Sequence, residues 1–349
     1  MIRGETRSMG RLQRTIADRT ALEKHVFAAF DGGRGSGSLP GLCLQLLAEQ
    51  KETWADLRQA YASLEHVRTR RVRCTGFSVL LQHNPGRATS SLARVDEQHI
   101  RKRPCFLCVA NLPDGQKGIL YRDAYLILCN PAPVVPAHLT IDCVDHRAQA
   151  ITDNIGTYLQ LTTELGPAWT LLYNGPACGA SAPDHLHFQA VPSGLLPVER
   201  QVRQGRRLIV KARLDRVSLY NVSGLGRAVL LLVGREPEAL ARALARYVHD
   251  LKLVTHASAE PMLNSAGFYN RGTWRLLVFP RRKHRPDAFF AEGDARIAVS
   301  PAVMEMAGVI VTPIERDFER LDARVVERIY NEVSLDAETH ERVLRTVCL

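Results

Sequence analysis

The stretch 174–192, NGPACGASAPDHLHFQAVP, sets two imidazoles and a carboxamide at alternate positions behind a loop of small residues. In an extended strand successive side chains point to opposite faces, so His185, His187 and Gln189 form a row with steps of roughly 7 Å while Leu186 and Phe188 fill the other face. One face reads as core and the other as a site. Gly175 and Gly179 let backbone amides come close to a ligand, and Ser181 adds a hydroxyl; such a nest suits phosphate oxygens. A neutral imidazole beside it can attack phosphorus, because a hydrogen bond at one ring nitrogen fixes the other as the nucleophile. The competing reading is a polar strand on a wet face.

Two further sets carry possible chemistry. In RPCFLC, Cys105 and Cys108 have metal-ligand spacing, with later histidines available to complete a site. Two packed thiols and a redox pair share that spacing, although a redox pair favours the start of a helix in a thioredoxin-like unit, which the chain does not offer. The basic stretches are QHNPGRATSS, with Asn84 to shape a turn and Arg87 to fork onto phosphate, and FPRRKHRP, with Arg281, Arg282, Lys283 and His284. Each arginine has a solvated surface role as its alternative.

These residues need elements to hold them. Residues 11–70 read as helical, broken at DGGRGSGSLPG (31–41). LCLQLLAEQKETWADLRQAYASLEHV has the three- and four-residue apolar spacing of an amphipathic helix lying on a sheet. VRCTGFSVLLQHNPGR alternates like a strand and ends in a turn. AYLILCN and HLTIDC are short strands, about 146–165 is a long helix, WTLLYN is a strand, and 175–184 is the loop that returns the chain into HLHFQAVP. A similar order follows: AVLLLVG as a strand, EPEALARALARYVHDLKL as a helix with Pro237 in its first turn, and FYNRGTWRLLVFPRRKHRP as a strand pair. This is a diverged internal repeat without a second His-Leu-His-Phe-Gln row. From about residue 313 an amphipathic helix or helix pair closes the chain. The expected organisation is a helical region 1–70, a first unit 71–204 with the motif, a second, degenerate unit 205–312, and C-terminal helices 313–349.

NGPACGASAPDHLHFQ resembles the active-site segment of the histidine-triad superfamily, specifically its transferase branch of galactose-1-phosphate uridylyltransferases, diadenosine tetraphosphate phosphorylases and GDP-hexose phosphorylases. The likeness covers roughly 72–192 with specific motifs and 228–323 more loosely. It implies an α+β fold of duplicated histidine-triad-like units, antiparallel sheets flanked by helices. Asn174, Gly179, Ser181 and Pro183 align with the branch's asparagine, glycine, serine and pre-histidine proline. By that resemblance His187 is the nucleophile that carries a nucleoside monophosphate, Gln189 bonds a phosphoryl oxygen, and Ser181 contacts phosphate. Asn84 and Arg87 then fall on the branch's Asn-Pro-x-Arg turn near the phosphates. The implied metal is a structural Zn²⁺ on Cys105, Cys108, His146 and His185, with His138 as rival for the third place. Leu186 stands where the uridylyltransferases have proline, which moves the match towards the phosphorylases.

Composition narrows the classes. At 349 residues the chain exceeds the size at which one core stops growing, so two packed halves or a domain with additions are expected, and 46% apolar residues support a real core. Lys and Arg number 46 against 36 Asp and Glu, a net +10 that favours anionic partners. The segment MIRGETRSMGRLQRT has no apolar stretch behind it and does not read as a secretory signal. Nothing approaches the roughly 20 apolar residues of a membrane span. Eight cysteines are too few for a disulfide scaffold; Cys43, Cys74, Cys129, Cys143 and Cys348 read as reduced, buried thiols, and a cytoplasmic protein is expected. The leading function is a nucleotidyl transferase or phosphorylase acting on a nucleoside diphosphate sugar or dinucleoside polyphosphate, with phosphate or a sugar phosphate as acceptor. A histidine-triad hydrolase is the second reading, disfavoured because glutamine cannot share acid-base work. The third is a non-enzymatic nucleotide- or RNA-binding protein, disfavoured because only 6% of residues are aromatic. A homodimer is left open.

Overall fold

The computed structural model describes residues 16–33, 37–91, 97–205 and 207–347. The basic segment 1–15, the middle of the glycine-rich break at 34–36, and Cys348 lie outside the described residues.

Fourteen strands occur among the described residues: β1 Val26–Phe30, β2 Arg68–Arg73, β3 Ser78–His83, β4 Gly118–Tyr121, β5 Tyr125–Cys129, β6 Leu139–Cys143, β7 Trp169–Asn174, β8 His187–Pro192, β9 Leu208–Leu214, β10 Val217–Val222, β11 Leu230–Gly234, β12 Leu263–Asn270, β13 Thr273–Pro280 and β14 Val309–Thr312. Eleven form one sheet in the order β1-β4-β5-β6-β8-β7-β12-β13-β11-β10-β9, and β14-β3-β2 form a second. From β4 to β9 the large sheet is a palindrome. Three strands, a helix (Ile155–Leu165) and two strands make the first half; three strands, a helix (Pro237–Val254) and two strands make the second. The halves meet where β7 and β12 pair antiparallel, Asn174 opposite Asn264 and Leu171 opposite Gly267. The duplicated α+β architecture expected from the sequence is therefore present. The strand that answers β8 in the second half, β13, holds no histidine.

One face of the large sheet is closed by the helices Leu39–Thr53, Ala55–Ala62, Ile155–Leu165, Pro237–Val254 and Ala337–Val347, whose apolar stripes share a core with Ile141, Phe188 and Leu276. Phe188 lies against the rings of Tyr125, Tyr158 and Tyr173, with centroids 6.3, 5.7 and 6.0 Å away. Burying such a ring is worth about 2–3 kcal/mol, and it turns the other face of β8 outward from this core. Across that face a second core joins the small sheet to the helix Pro197–Arg203 and to 297–333.

Several elements differ from the sequence reading, each for a tertiary reason. Within 11–70, Val26–Phe30 is a strand because it finds a parallel partner in β4, nearly a hundred residues on. The amphipathic helix is two helices, broken at an extended Trp54 whose ring lies against Gly115. The expected strand at 72–83 is the hairpin β2–β3, turned through Gly76 at φ +82°, and it belongs to the small sheet. The long helix starts at Ile155, not near 146, because 147–149 are spent on the segment leading into β8: Leu186 N–H donates to the Arg147 carbonyl and Gln149 N–H to that of Pro183. The tail holds three helices, Glu315–Arg320, Ala323–Val333 and Ala337–Val347. Cys43, Cys129 and Cys143 are buried thiols as expected, whereas Cys74, at the hairpin turn, is half-buried.

Candidate active site

The site starts at the edge of β8. The strand begins at His187, and His185 lies just before it, so the expected row of three is a pair plus an anchor. His187 and Gln189 share one face with Asp142 and Thr140 of β6, to which they are directly paired, and with Leu128 of β5 opposite Thr140.

His187 is buried and held at its backbone and at one ring nitrogen. Its backbone N–H donates to Gln149 Oε1 at 2.8 Å, and Gln149 Nε2 donates to the His187 carbonyl at 3.0 Å and to the Asn174 carbonyl at 2.8 Å. Its Nδ1 lies 2.8 Å from the His185 carbonyl, which can only accept, so Nδ1 carries the proton. Nε2 is left with its lone pair. Burial pushes this imidazole down to about 4, so the ring is neutral near pH 7.

Gln189 is oriented in turn. His138 Nδ1 accepts from Val134 N–H at 3.4 Å, which makes its Nε2 the donor to Gln189 Oε1 at 3.0 Å. The amide nitrogen of Gln189 is thereby turned away from His138 as a donor. Burial, reinforced by Arg87, pushes His138 down to about 4 and keeps it a neutral, one-proton donor.

In the loop 175–184, Gly179 sits at φ +110°, and a Cβ there would stand 2.6 Å from Ala302 Cβ. The amides of Gly179, Ala180 and Ser181 make no hydrogen bond among the described residues. Arg103 braces the loop by donating to the Ser181 carbonyl at 2.8 Å while lying over the Phe106 ring.

A cleft of about 600 Å³ opens beside His187, Gln189, Ser181 and Arg87, with Leu107 and Leu128 on its apolar wall. Asp142 faces it, fully buried, with neither carboxyl oxygen hydrogen-bonded among the described residues; burial raises its pKa well above the ordinary value. A smaller cavity of about 60 Å³ shares Arg87, Ser181 and Gln189 with the cleft and is completed from the second half by His284, Arg285, Ser300 and Glu305. Arg87 donates to the Ala132 carbonyl at 2.5 Å, and burial lowers its pKa against the pull of Glu305.

The metal-ligand residues also converge. One ligand atom each from Cys105, Cys108, His146 and His185 fall within 4.8 Å of one another. The edges are Cys105 Sγ to His185 Nδ1 at 3.3 Å, Cys108 Sγ to His185 Nδ1 at 3.6 Å and Cys108 Sγ to His146 Nδ1 at 3.1 Å. Tetrahedral bonds of about 2.3 Å to sulfur and 2.0–2.1 Å to nitrogen require edges of about 3.5 Å, so the set fits a small tetrahedral ion. His185 Nε2 donates to the Cys143 carbonyl at 2.7 Å, which frees Nδ1 for a metal. His138 lies outside this cluster.

Other expected site residues have different work. Asn84 is buried and donates to the Pro133 carbonyl at 3.2 Å, shaping the turn that carries Arg87. Asn174 lines the small cavity, yet its Oδ1 accepts from Asn264 and from Val303 N–H, which ties the two halves. Arg281 is a buried hub donating to Asn264 and to the carbonyls of Val333, Pro301, Lys283 and His284. Arg282 donates to the carbonyls of Asn331 and Glu332, and Lys283 pairs with Asp287. Of that basic stretch, His284 and Arg285 reach the cavity. Sequence reasoning missed Asp142, Gln149, Arg103 and Glu305.

The resemblance read from the sequence stands at the level of fold. Residues 229–349 match a family described as GDPGP1-like, C-terminal domain, and residues 46–192 match a domain of unknown function, DUF4922. Among solved structures the chain is similar to yeast Ap4A phosphorylase Apa2 in complex with AMP, with TM-score 0.54 and 17% identity over 83% of this chain and 95% of that one. It is also similar to the same yeast enzyme in complex with Ap4A, with TM-score 0.51 and 15% identity over 82% and 97%. At such identities the likeness is one of fold. No curated protein matches the chain in sequence. No helix among the described residues is long and apolar enough to cross a membrane.

Proposed function

We propose that the chain is a nucleotidyl transferase of the phosphorylase type, acting on a nucleoside diphosphate sugar or a dinucleoside polyphosphate through a nucleotidyl group on His187. The observation that carries this reading is His187 Nε2, which has no hydrogen-bond partner among the described residues and lies beside a cleft that also presents Ser181, Gln189 and Arg87.

In the first step Nε2 attacks the α-phosphorus, a P–N bond forms, and the bond to the leaving phosphate oxygen breaks. In the second, an oxygen of phosphate or a sugar phosphate attacks that phosphorus and the P–N bond breaks, which returns the neutral ring. Charge on the phosphoryl oxygens is met by the Gln189 amide, the Ser181 hydroxyl, the free amides of 179–181 and the Arg87 fork, all positioned before substrate arrives. The apolar wall at Leu107 and Leu128 receives the base, and the buried Asp142 carboxyl, favoured in its protonated form, offers an O–H donor and a carbonyl acceptor to the sugar hydroxyls. The small cavity, with Arg87, His284, Arg285 and Ser300 around it, takes the departing and incoming phosphate. Yeast Apa2 is an Ap4A phosphorylase and has been captured with AMP and with Ap4A, which supports the substrate class.

Zinc is the ion that suits two thiolates and two imidazoles in a closed tetrahedron, where it supplies structure rather than chemistry. Its four ligands pin the segment just ahead of β8 and so fix where His187 begins.

The test is turnover of adenine, guanine and uracil diphosphate sugars and of dinucleoside polyphosphates, with and without acceptor. Turnover that requires phosphate or a sugar phosphate is expected. Release of free nucleoside monophosphate at the same rate in water alone would make the chain a hydrolase.

A further inference from the structure

A second cleft, of about 730 Å³, lies between the hairpin β2–β3 and the helix Pro197–Arg203. Among the described residues its charged lining is Arg71 and Arg73 from β2, Arg200 from the helix and Arg207 beyond it, with no acidic side chain. The strand pattern explains the convergence: Arg70 and Val72 face the helix Glu315–Arg320 and the core, where Arg70 donates to the carbonyls of Phe318 and Leu321, so Arg71 and Arg73 project from the other face.

Other arginines nearby have partners. Arg68 meets Glu315 and Glu319, Arg203 meets Glu199, and Arg207 donates to the Gly224 carbonyl. The side chains of Arg71, Arg73 and Arg200, all exposed, have no ion pair or hydrogen bond among the described residues. Like charges gathered in one concavity repel, and the arrangement becomes favourable when an anion lies between the guanidinium forks.

The dimensions select the anion. Arg71 and Arg73 leave the strand about 7 Å apart, wider than one phosphate, so the ligand carries at least two phosphoryl groups. The volume falls within the range of roughly 300–1,000 Å³ that holds small molecules. Phe77, the aromatic side chain in the lining, is buried against Tyr330 and offers no exposed stacking platform for single-stranded nucleic acid. We propose that this cleft is a second anion site, separate from the His187 cleft, that takes the di- or triphosphate chain of a small molecule.

Calorimetric titration of the full chain with tripolyphosphate tests this, using the parent, the double variant Arg71→Ala/Arg73→Ala and the variant Arg87→Ala. Both changes in the double variant are at exposed positions, and an unchanged melting temperature verifies its fold. The expected result is binding by the parent and by Arg87→Ala, weakened about tenfold or more in the double variant. Equal binding by parent and double variant, binding lost in Arg87→Ala alone, or binding of a short oligouridylate but not of tripolyphosphate would each overturn the proposal. None of these readouts depends on nucleotidyl transfer.

Discussion

At the scale of single residues, the site consists of a few groups with chemistry and others that only aim them. His138 touches no reacting atom in this account; it is a positioning residue whose Nε2–H fixes Gln189. Replacing it with Phe keeps bulk but frees the Gln189 amide to rotate. A fall in kcat of about 10- to 100-fold is expected, with KM changed much less, since the lost donor acts on developing charge. A change confined to KM would show that Gln189 is not held for the chemistry. His187 and Gln189 were legible in the sequence because a period of two needs only neighbouring residues. His138, Gln149 and Asp142 were not, since each acquires its role from a partner about 40–50 residues away that only strand pairing brings close. Asp142 stood in plain view in HLTIDC; an acid inside an otherwise apolar strand was the available signal.

At the scale of elements, the interval from β6 to β8 is held from both ends. Gln149 clamps the start of β8, and the Cys105, Cys108, His146 and His185 cluster fastens the segment before it. Stripping metal with a strong chelator should lower the melting temperature by roughly 5 °C or more, and Cys105→Ser/Cys108→Ser should do the same without chelator. Protein that contains no stoichiometric zinc and melts identically with and without chelator would mean the thiols pack without a metal. The spacing of Cys105 and Cys108 was readable; the choice between His146 and His138 rested on resemblance and the structure favours His146. The same mechanism explains the misplaced helix start, because 147–149 have helical neighbours in sequence but are drawn out to bond the segment leading into β8.

At the scale of the molecule, the palindromic sheet turns a duplicated chain into one site. The first half supplies the proposed nucleophile, while the second supplies the far wall of the small cavity, including Glu305, and no local pattern in the sequence announces a wall built some 120 residues away. Glu305 accepts from Ala302 N–H at 2.8 Å, and burial raises its pKa from 4.5 to about 7. The folded state therefore holds this proton more tightly than the unfolded chain does. Its stabilising contribution is complete below pH 4.5 and is lost as pH rises through 7, on the order of 3 kcal/mol by pH 8. Urea unfolding at pH 5 and pH 8 should show Glu305→Gln losing less stability than the parent over that interval. Equal losses would place the titration elsewhere.

The central claim is that phosphorus becomes bonded to one ring nitrogen. Mass analysis of peptides after mixing the chain with a substrate that turns over, quenched before acceptor is added, reads this directly. The account predicts a nucleoside monophosphate adduct on His187, discharged by phosphate and missing from His187→Ala. Steady turnover by His187→Ala, or an adduct on any other residue, would contradict it.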